Sequence, residues 1–211
     1  MLGTHLRRRT NPFIDIALLA DQSFVRVIAN DLIINIILLG VLLLLPLLLA
    51  DIYQLSSVTT GAIFFLAALF SSTASMLSGR LLVHYNQVAL IYGGTGLMII
   101  GLIILSIFAS HSLLLTILGT ILIFISYSTI QVALNSFVPL ALNDDCIGVG
   151  LGLYNLTNFI GMALGPALAS KLLELGANYS FLFLGVVLVV LPLFPLLYKL
   201  VLPTQNSLLQ D

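Results

Sequence analysis

The sequence contains very little charge. Asp, Glu, Lys and Arg together make up 7% of its 211 residues, whereas soluble domains average about 25%. A soluble fold of this size has to cover its surface with polar side chains, and 7 basic plus 8 acidic residues cannot do so. The formal net charge of −1 also provides no basic surface for nucleic acid. The composition therefore excludes a soluble enzyme, a nucleic-acid-binding protein and a disordered tail.

Residues that hold metals or carry acid–base chemistry are scarce as well. Cys146 is the single cysteine, so the sequence provides neither an internal disulfide nor a thiolate metal site. The three histidines are scattered, and Glu174 is the only glutamate. A membrane-embedded metalloenzyme would need such residues clustered within its spans. We therefore predict no enzyme activity, no metal site and no cofactor.

Hydrophobic residues, in contrast, make up 60% of the chain and fall in long runs. A helix needs about 20 mostly apolar residues to cross the hydrocarbon core of a membrane. Runs such as Leu42–Leu45 are apolar on all sides, without the period of two that spanning strands require. We predict an all-α integral membrane protein whose bundle, residues 24–202, has six transmembrane helices. The predicted spans are 24–50, 57–78, 87–109, 112–140, 147–170 and 180–202.

The orientation follows from the positions of Lys and Arg, which are enriched in cytoplasmic segments. With six spans, one side of the membrane receives Lys171 alone. The other side receives Arg7, Arg8, Arg9, Arg26, Arg80 and Lys199. We therefore predict that both tails, 1–23 and 203–211, are cytoplasmic. Within the first tail, apolar residues recur at helical spacing over 12–22 with acidic residues between them. This spacing predicts a short helix along the membrane interface.

The chain also shows a weak internal repeat. When Gly61 is laid on Gly152, Arg80 falls on Lys171, and the first three spans fall on the last three. An odd number of spans in each copy turns the second copy upside down, as in the inverted repeats of many secondary transporters. We predict a three-plus-three inverted repeat, which is half of a major-facilitator-type fold.

Three segments resemble a known branch of carriers. Residues 46–61 are similar to the first outer loop of the C-terminal half in multidrug and tetracycline efflux carriers of the major facilitator superfamily. Residues 9–15 and Phe24 are similar to the linker before that half, and residues 148–159 to the glycine-rich entry of its penultimate helix. The resemblance is to the fourteen-helix drug/proton antiporters. It implies a plasma-membrane transporter that exports small amphipathic compounds against inward proton flow, as in antibiotic resistance.

The sequence departs from that family pattern in two places. Relatives usually carry Gly-x-Leu-x-Asp-Arg-x-Gly after the second span, whereas the segment that begins Gly79-Arg80 lacks the acidic residue and the closing glycine. Tetracycline carriers have an acidic residue on the penultimate helix, at the position that aligns with Met162. A thioether cannot carry a proton. Both departures concern residues on which coupling depends in the relatives.

The resemblance covers only the second half of such a carrier. It implies a split or truncated carrier, in which a complementary N-terminal half or a second copy of the chain completes the transport path. Such a partner is needed because carriers bind substrate between two halves near the bilayer midplane. The alternative is a non-transporting remnant or accessory subunit that packs against a full carrier. The partners implied are the lipid bilayer, a small-molecule substrate and protons.

Asp31 is the only acidic residue inside a predicted span. A carboxylate at the centre of a membrane helix costs about 2.5–3.5 kcal/mol and by default indicates function. It lies about 10 Å along the helix from Phe24, at about 1.5 Å per residue. One interpretation is a proton-coupling group, with Asn35 one turn later on the same cavity-lining face. The other is an interfacial carboxylate that is hydrated or paired with Arg26.

The fourth predicted span carries a polar stripe. Tyr127, Gln131 and Asn135 recur at i, i+4 and i+8, so they share one face of the helix. Amides that faced lipid would lack hydrogen-bond partners, so this face must contact protein or water. It either lines a substrate pathway or holds helices together through hydrogen bonds.

The fifth predicted span combines amides with small residues. Asn155 and Asn158 lie about one turn apart and join the candidate pathway residues. Gly161 and Gly165 have the small-xxx-small spacing that lets two helices approach closely. Pro166 removes a backbone donor and can kink the helix. For the glycines and the proline we predict a packing role.

Overall fold

The structure, a computed structural model, describes residues 22–139, 142, 147–176 and 178–179. These residues form helices and short loops, and no strand occurs among them. Each helix is long and apolar enough to cross a membrane, so the chain is an all-helical, multi-pass membrane protein. The helices are α1 (Gln22–Asp51), α2 (Ser57–Leu81), α3 (Gln87–Phe108), α4 (Leu113–Phe137) and α5 (Ile147–Glu174).

The first five predicted spans fall on these five helices. The sixth predicted span, 180–202, and the tail at 203–211 lie outside the described residues. The same holds for the predicted interfacial helix at 12–22, apart from Gln22, which begins α1. The inverted repeat of six helices stays a prediction.

Polar residues in the short segments between the apolar runs cap the helices that follow them. The Ser56 hydroxyl accepts a hydrogen bond from the backbone N–H of Thr59 at the start of α2. Asn86 and Ser112 do the same at the starts of α3 and α4. Such side chains satisfy backbone donors that the first turn of a helix leaves unpaired. Because the loops between α1 and α4 are short, consecutive helices run antiparallel.

The helices pack in three main pairs: α3 with α4, α1 with α5, and α2 with α4. In the α3–α4 pair, a Cβ added to Gly101 would lie 3.1 Å from the carbonyl oxygen of Gly119. The α2–α4 pair is joined by hydrogen bonds, with Ser71 Oγ donating to the Phe124 carbonyl at 3.1 Å. Ser78 Oγ donates to Thr129 Oγ1, also at 3.1 Å. Both pairs therefore depend on small side chains at the contact.

The α1–α5 pair is the closest of the three. A Cβ added to Gly161 would lie 2.7 Å from the carbonyl oxygen of Leu32, and one added to Gly165 would lie 2.5 Å from that of Ile36. Real Cβ atoms do not approach a carbonyl oxygen so closely, so only glycine fits at these two positions. Helix α5 continues through Pro166, which stands inside it rather than at its end.

Candidate functional site

The carboxylate of Asp31 is fully buried, with 0% of the residue exposed. Three neutral donors from two other helices converge on its Oδ1 atom. Gln131 Nε2 on α4 donates at 2.9 Å and Tyr154 Oη on α5 at 3.1 Å. Asn158 Nδ2, one turn after Tyr154 on α5, approaches the same oxygen at 3.5 Å. Asp31 thus joins α1, α4 and α5 through one atom.

The second carboxylate oxygen of Asp31 has a different environment. Oδ2 is buried and has no hydrogen-bond partner among the described residues. An ionised carboxylate can accept hydrogen bonds on both oxygens, whereas a protonated one also donates. The arrangement therefore satisfies one oxygen strongly and leaves the other able to bind a proton.

A further layer of polar contacts lies one turn along α1. Tyr127 Oη on α4 donates to Asn35 Oδ1 at 3.0 Å. Asn35 Nδ2 in turn donates to the backbone carbonyl of Asp31 at 2.8 Å. The first contact joins α4 to α1, and the second, within α1, orients the Asn35 amide that receives it. We call the six residues that meet here the Asp31 cluster: Asp31, Asn35, Tyr127, Gln131, Tyr154 and Asn158.

The polar stripe of α4 extends from the cluster to the surface of the bundle. Asn135 Nδ2 donates to the Gln131 carbonyl at 2.8 Å and approaches Gln131 Oε1 at 3.4 Å. Asn135 is exposed, Gln131 is half-buried and Asp31 is buried. A continuous series of polar groups therefore connects the buried carboxylate with an exposed position near the end of α4.

The cluster lies toward one end of the bundle. Gln131 is about two turns from the end of α4, and Tyr154 is about two turns from the start of α5. These helix ends are on the side that the distribution of Lys and Arg predicts to be cytoplasmic. At the opposite end of α5, the ion pair between Lys171 Nζ and Glu174 Oε2 spans 2.9 Å on the surface.

The close α1–α5 contact positions the cluster. A Cβ added to Gly161 would also lie 2.9 Å from Asn35 Cβ. Because α5 lies directly against α1 at this level, the preceding two turns of α5 bring Tyr154 and Asn158 to Asp31. The glycines and Asp31 therefore belong to one arrangement, although the sequence shows them as separate motifs.

The structure does not bring every candidate residue together. Asn155 is exposed on α5 and makes no hydrogen bond to the cluster, while Asn135 touches it only through Gln131. Gly79 and Arg80 are exposed near the end of α2, and an added Cβ at Gly79 would meet no atom within 4 Å. The roles of all these residues stay predictions.

The burial of Asp31 does not match the interpretation of this residue as a hydrated interfacial carboxylate. A hydrated interfacial carboxylate would expose its oxygens, and this one has no exposed surface. Its hydrogen bonds go to uncharged side chains of α4 and α5. The burial of a carboxylate among neutral donors is costly in a membrane, where such residues mark ion and proton pathways.

Tyr154 is the cluster member that the sequence analysis missed. A signal was available, because Tyr154 and Asn158 stand at i and i+4 and share a face of α5. The same spacing marks the stripe of α4. A lone tyrosine near the end of a span more commonly lies at the membrane interface, so spacing alone did not single it out.

The described residues contain no group of three or more His, Cys, Asp or Glu that could hold a metal ion.

Comparison with known proteins gives a family for the chain. No curated protein matches it. The family model described as Major Facilitator Superfamily matches residues 4–166 and, in a second match, residues 41–210. The first match alone covers more than half of the sequence. Together with the helical membrane fold, this shows that the chain belongs to the major facilitator superfamily, a family of membrane transporters.

Proposed function

We propose that this chain is the C-terminal half of a secondary transporter that exports small amphipathic compounds, drugs among them, in exchange for protons. The observation that carries the proposal is the Asp31 carboxylate, which is buried in a membrane-spanning helix among neutral donors. One oxygen accepts three hydrogen bonds, and the other has no partner in the described part of the chain. Membership of a transporter family supports the general function.

Proton exchange at Asp31 follows from this geometry. The three donors on Oδ1 stabilise the charged form, because hydrogen bonds to an ionised acceptor are stronger than neutral ones. The charge is nevertheless buried, and binding a proton on Oδ2 removes the cost of burying it. The two states are therefore both accessible within one fixed arrangement, as a coupling group requires.

The helix contacts support a three-plus-three inverted repeat. In such a repeat α1 corresponds to α4, and α2 corresponds to α5. The α1–α5 contact then has the α2–α4 contact as its counterpart, and both are extensive. Both also rest on small residues, including Gly165 on α5 and Ser71 on α2. We propose that a sixth helix at 180–202 completes the second repeat.

Exposed amides support a partner half. Asn135 on α4 and Asn155 on α5 are exposed on the bundle, and an amide within the hydrocarbon region must face protein or a water-filled cavity. A complementary half, or a second copy of this chain, would cover these positions and enclose a pathway between the two bundles. Substrate would then bind between the halves, next to the Asp31 cluster.

We further propose a plasma-membrane location with both termini in the cytoplasm. His111, in the loop between α3 and α4, and Tyr85, in the loop between α2 and α3, are both exposed. In a chain without Cys146, a cysteine at position 111 should react with an impermeant thiol reagent from outside the cell. A cysteine at position 85 should react only after the membrane is opened. The reverse pattern would invert the proposed orientation.

The transport proposal is tested with the chain and a complementary N-terminal half in everted vesicles. Ethidium, a small amphipathic fluorescent compound, should accumulate when a proton gradient is imposed, and Asp31→Asn should abolish this accumulation without lowering expression. Ser72→Ala is the matched control, because Ser72 is exposed and bonds only within its own helix. Full activity of Asp31→Asn at every pH would exclude proton coupling at this residue. A chain that binds a full carrier but never supports uptake would be the accessory subunit instead.

A further inference from the structure

The Tyr154 hydroxyl lies between two acceptors on different helices. Its oxygen is 3.1 Å from Asp31 Oδ1 on α1 and 3.2 Å from Gln131 Oε1 on α4. A phenol has a single O–H proton. The hydroxyl can therefore donate fully to only one of the two oxygens at a time.

We infer that Tyr154 is a positioning residue that transmits the protonation state of Asp31 to α4. Its O–H bond points to Asp31 Oδ1 while the carboxylate is charged and becomes free to turn to Gln131 Oε1 once the carboxylate is protonated. The phenol keeps its own proton throughout, and only the direction of the O–H bond changes. The inference rests on the proton exchange at Asp31 that is proposed above.

The direction of the switch follows from hydrogen-bond strength. A bond to an ionised acceptor is roughly twice as strong as a neutral one, so the charged carboxylate outcompetes the Gln131 carbonyl at nearly equal distance. When Asp31 binds a proton from the aqueous side, this advantage disappears. The two acceptors then become comparable, and Gln131 Oε1 can take the O–H bond.

The surroundings of Tyr154 restrict the change to the hydroxyl. The residue is buried, with 2% exposed, and the nearby Gly161 holds α5 against the α1 backbone.

Gln131 Oε1 is also approached by Nδ2 of the exposed Asn135, at 3.4 Å. Gln131 Oε1 has two lone pairs, so the turned O–H bond of Tyr154 and the Asn135 amide would share this oxygen. Protonation of Asp31 therefore changes the hydrogen bonding of the oxygen that the exposed Asn135 side chain approaches.

Other ionisable groups lie on the helices that surround Asp31. Tyr127, on α4, donates its hydroxyl to Asn35 rather than to Asp31. Arg26 lies on α1 itself, more than one turn before Asp31. In the described part of α5 the ionisable group at the cluster is Tyr154, and the only one on α2, Arg80, is exposed. Tyr127 is therefore the natural control for Tyr154.

Infrared difference spectroscopy tests the switch on the full chain in lipid vesicles, with isotopically labelled tyrosine. The difference between acidic and neutral samples should contain a carboxylic-acid C=O band that is lost in Asp31→Asn. It should also contain a tyrosine C–O band that is lost in Tyr154→Phe and retained in Tyr127→Phe. The tyrosine band should disappear in Asp31→Asn too, because the hydroxyl then has no change of charge to follow.

The possible results separate this inference from the function on which it rests. A carboxyl band without a tyrosine band, or a tyrosine band that survives Tyr154→Phe or Asp31→Asn, would overturn the switch and leave proton exchange intact. The absence of any Asp31-dependent carboxyl band would overturn both proposals. If Tyr154→Phe fails to fold, the switch requires that the tyrosine band of labelled wild type is lost in Asp31→Asn and retained in Tyr127→Phe. A band that is retained in Asp31→Asn or lost in Tyr127→Phe would overturn it.

Discussion

The α1–α5 and α3–α4 contacts are both built around glycine, but the backbones approach more closely in the α1–α5 contact. In the α1–α5 contact, an added Cβ at Gly165 would meet backbone, at 2.5 Å from the Ile36 carbonyl oxygen and 2.9 Å from the Gly40 nitrogen. In the α3–α4 contact, an added Cβ at Gly94 would first meet a side chain, at 2.6 Å from Ile130 Cγ1. A side chain can move aside, whereas a helix backbone cannot without moving the whole helix.

This difference corresponds to the kind of residues that each contact contains. The α3–α4 contact is largely apolar, and its close glycine approach at Gly101 and Gly119 serves to pack Ile123 and Leu105. The α1–α5 contact carries the Asp31 cluster, whose hydrogen bonds require fixed distances between helices. The tighter backbone approach is thus found where polar geometry has to be kept. In the α3–α4 contact the closest backbone approach of an added Cβ is 3.1 Å, at Gly101.

The largest effect is expected from Gly165→Leu, which breaks the α1–α5 contact. A leucine there cannot avoid the α1 backbone, so we expect a destabilisation of about 3 kcal/mol, the upper end of the usual range for overpacking. Thermal unfolding in detergent and the amount of protein in the membrane measure it. Gly152→Leu is the control on the same helix, because an added Cβ at Gly152 meets no atom within 4 Å. Equal stability of the two variants would contradict the close contact.

A smaller effect is expected from Gly94→Ala in the α3–α4 contact. An added methyl group would have to displace the buried Ile130 side chain and would lie 3.3 Å from the Ser126 carbonyl oxygen, so the cost should be about 2 kcal/mol. The adjacent Gly93→Ala is the control, since an added Cβ at Gly93 meets no atom within 4 Å. That variant should be neutral or slightly stabilising, because alanine favours helix over glycine by up to about 1 kcal/mol. A Gly94→Ala variant as unstable as Gly165→Leu would remove the distinction between the two contacts.

The α2–α4 contact depends on a hydroxyl instead of a glycine. Loss of that hydroxyl should destabilise the chain less than the glycine substitutions do. Ser71→Ala removes the hydrogen bond to the Phe124 carbonyl, and such bonds within membranes are worth about 0.6 kcal/mol on average. Ser72→Ala removes only a bond to Ala68 in its own helix, so no comparable loss is expected. Thermal unfolding of both variants side by side gives the difference, and a larger loss for Ser72→Ala would argue against this contact.

The smallest effect concerns the opposite end of α1, where Tyr179 Oη donates to Asp51 Oδ2. Burial, and then the hydrogen bond and charge of Asp51, raise the pKa of Tyr179 from 10.0 to about 12. Because the folded state holds this proton more tightly, the contact stabilises the chain fully below pH 10.0 and is lost as the pH rises toward about 12. The stability difference between wild type and Tyr179→Phe should therefore shrink over that range. A difference that grows with pH would reverse the sign of this linkage.

Much of the helix arrangement follows from local patterns. Long apolar runs placed the first five spans on α1 to α5, and the polar breaks between them became the caps at Ser56, Asn86 and Ser112. The position of Gly161 and Gly165 at small-xxx-small spacing pointed to a close helix contact, though not to the partner. These features depend on hydrophobicity and on residues within a few positions of one another, which any stretch of sequence displays directly.

The sequence predicted only part of the candidate site. Asp31 was recognisable because a carboxylate in an apolar span is rare, and Gln131 because its stripe repeats at helical spacing. The sequence could not show that Tyr154 and Asn158 join them while Asn155 does not. Adjacent residues on a helix point in different directions, and only the rotation of α5 about its axis decides which of them faces α1.

The sequence by itself therefore determined that this chain resides in a membrane, where its helices run, and which residues are costly to place there. The tertiary structure decided which of those residues meet. The contacts of Asp31 join it to residues on α4 and α5 that are remote in the chain. The approach of Gly161 and Gly165 to the α1 backbone brings the α5 residues close to Asp31. Hydrophobicity is a property of each segment, whereas the convergence of three donors on one oxygen is a property of how the segments are rotated and pressed together.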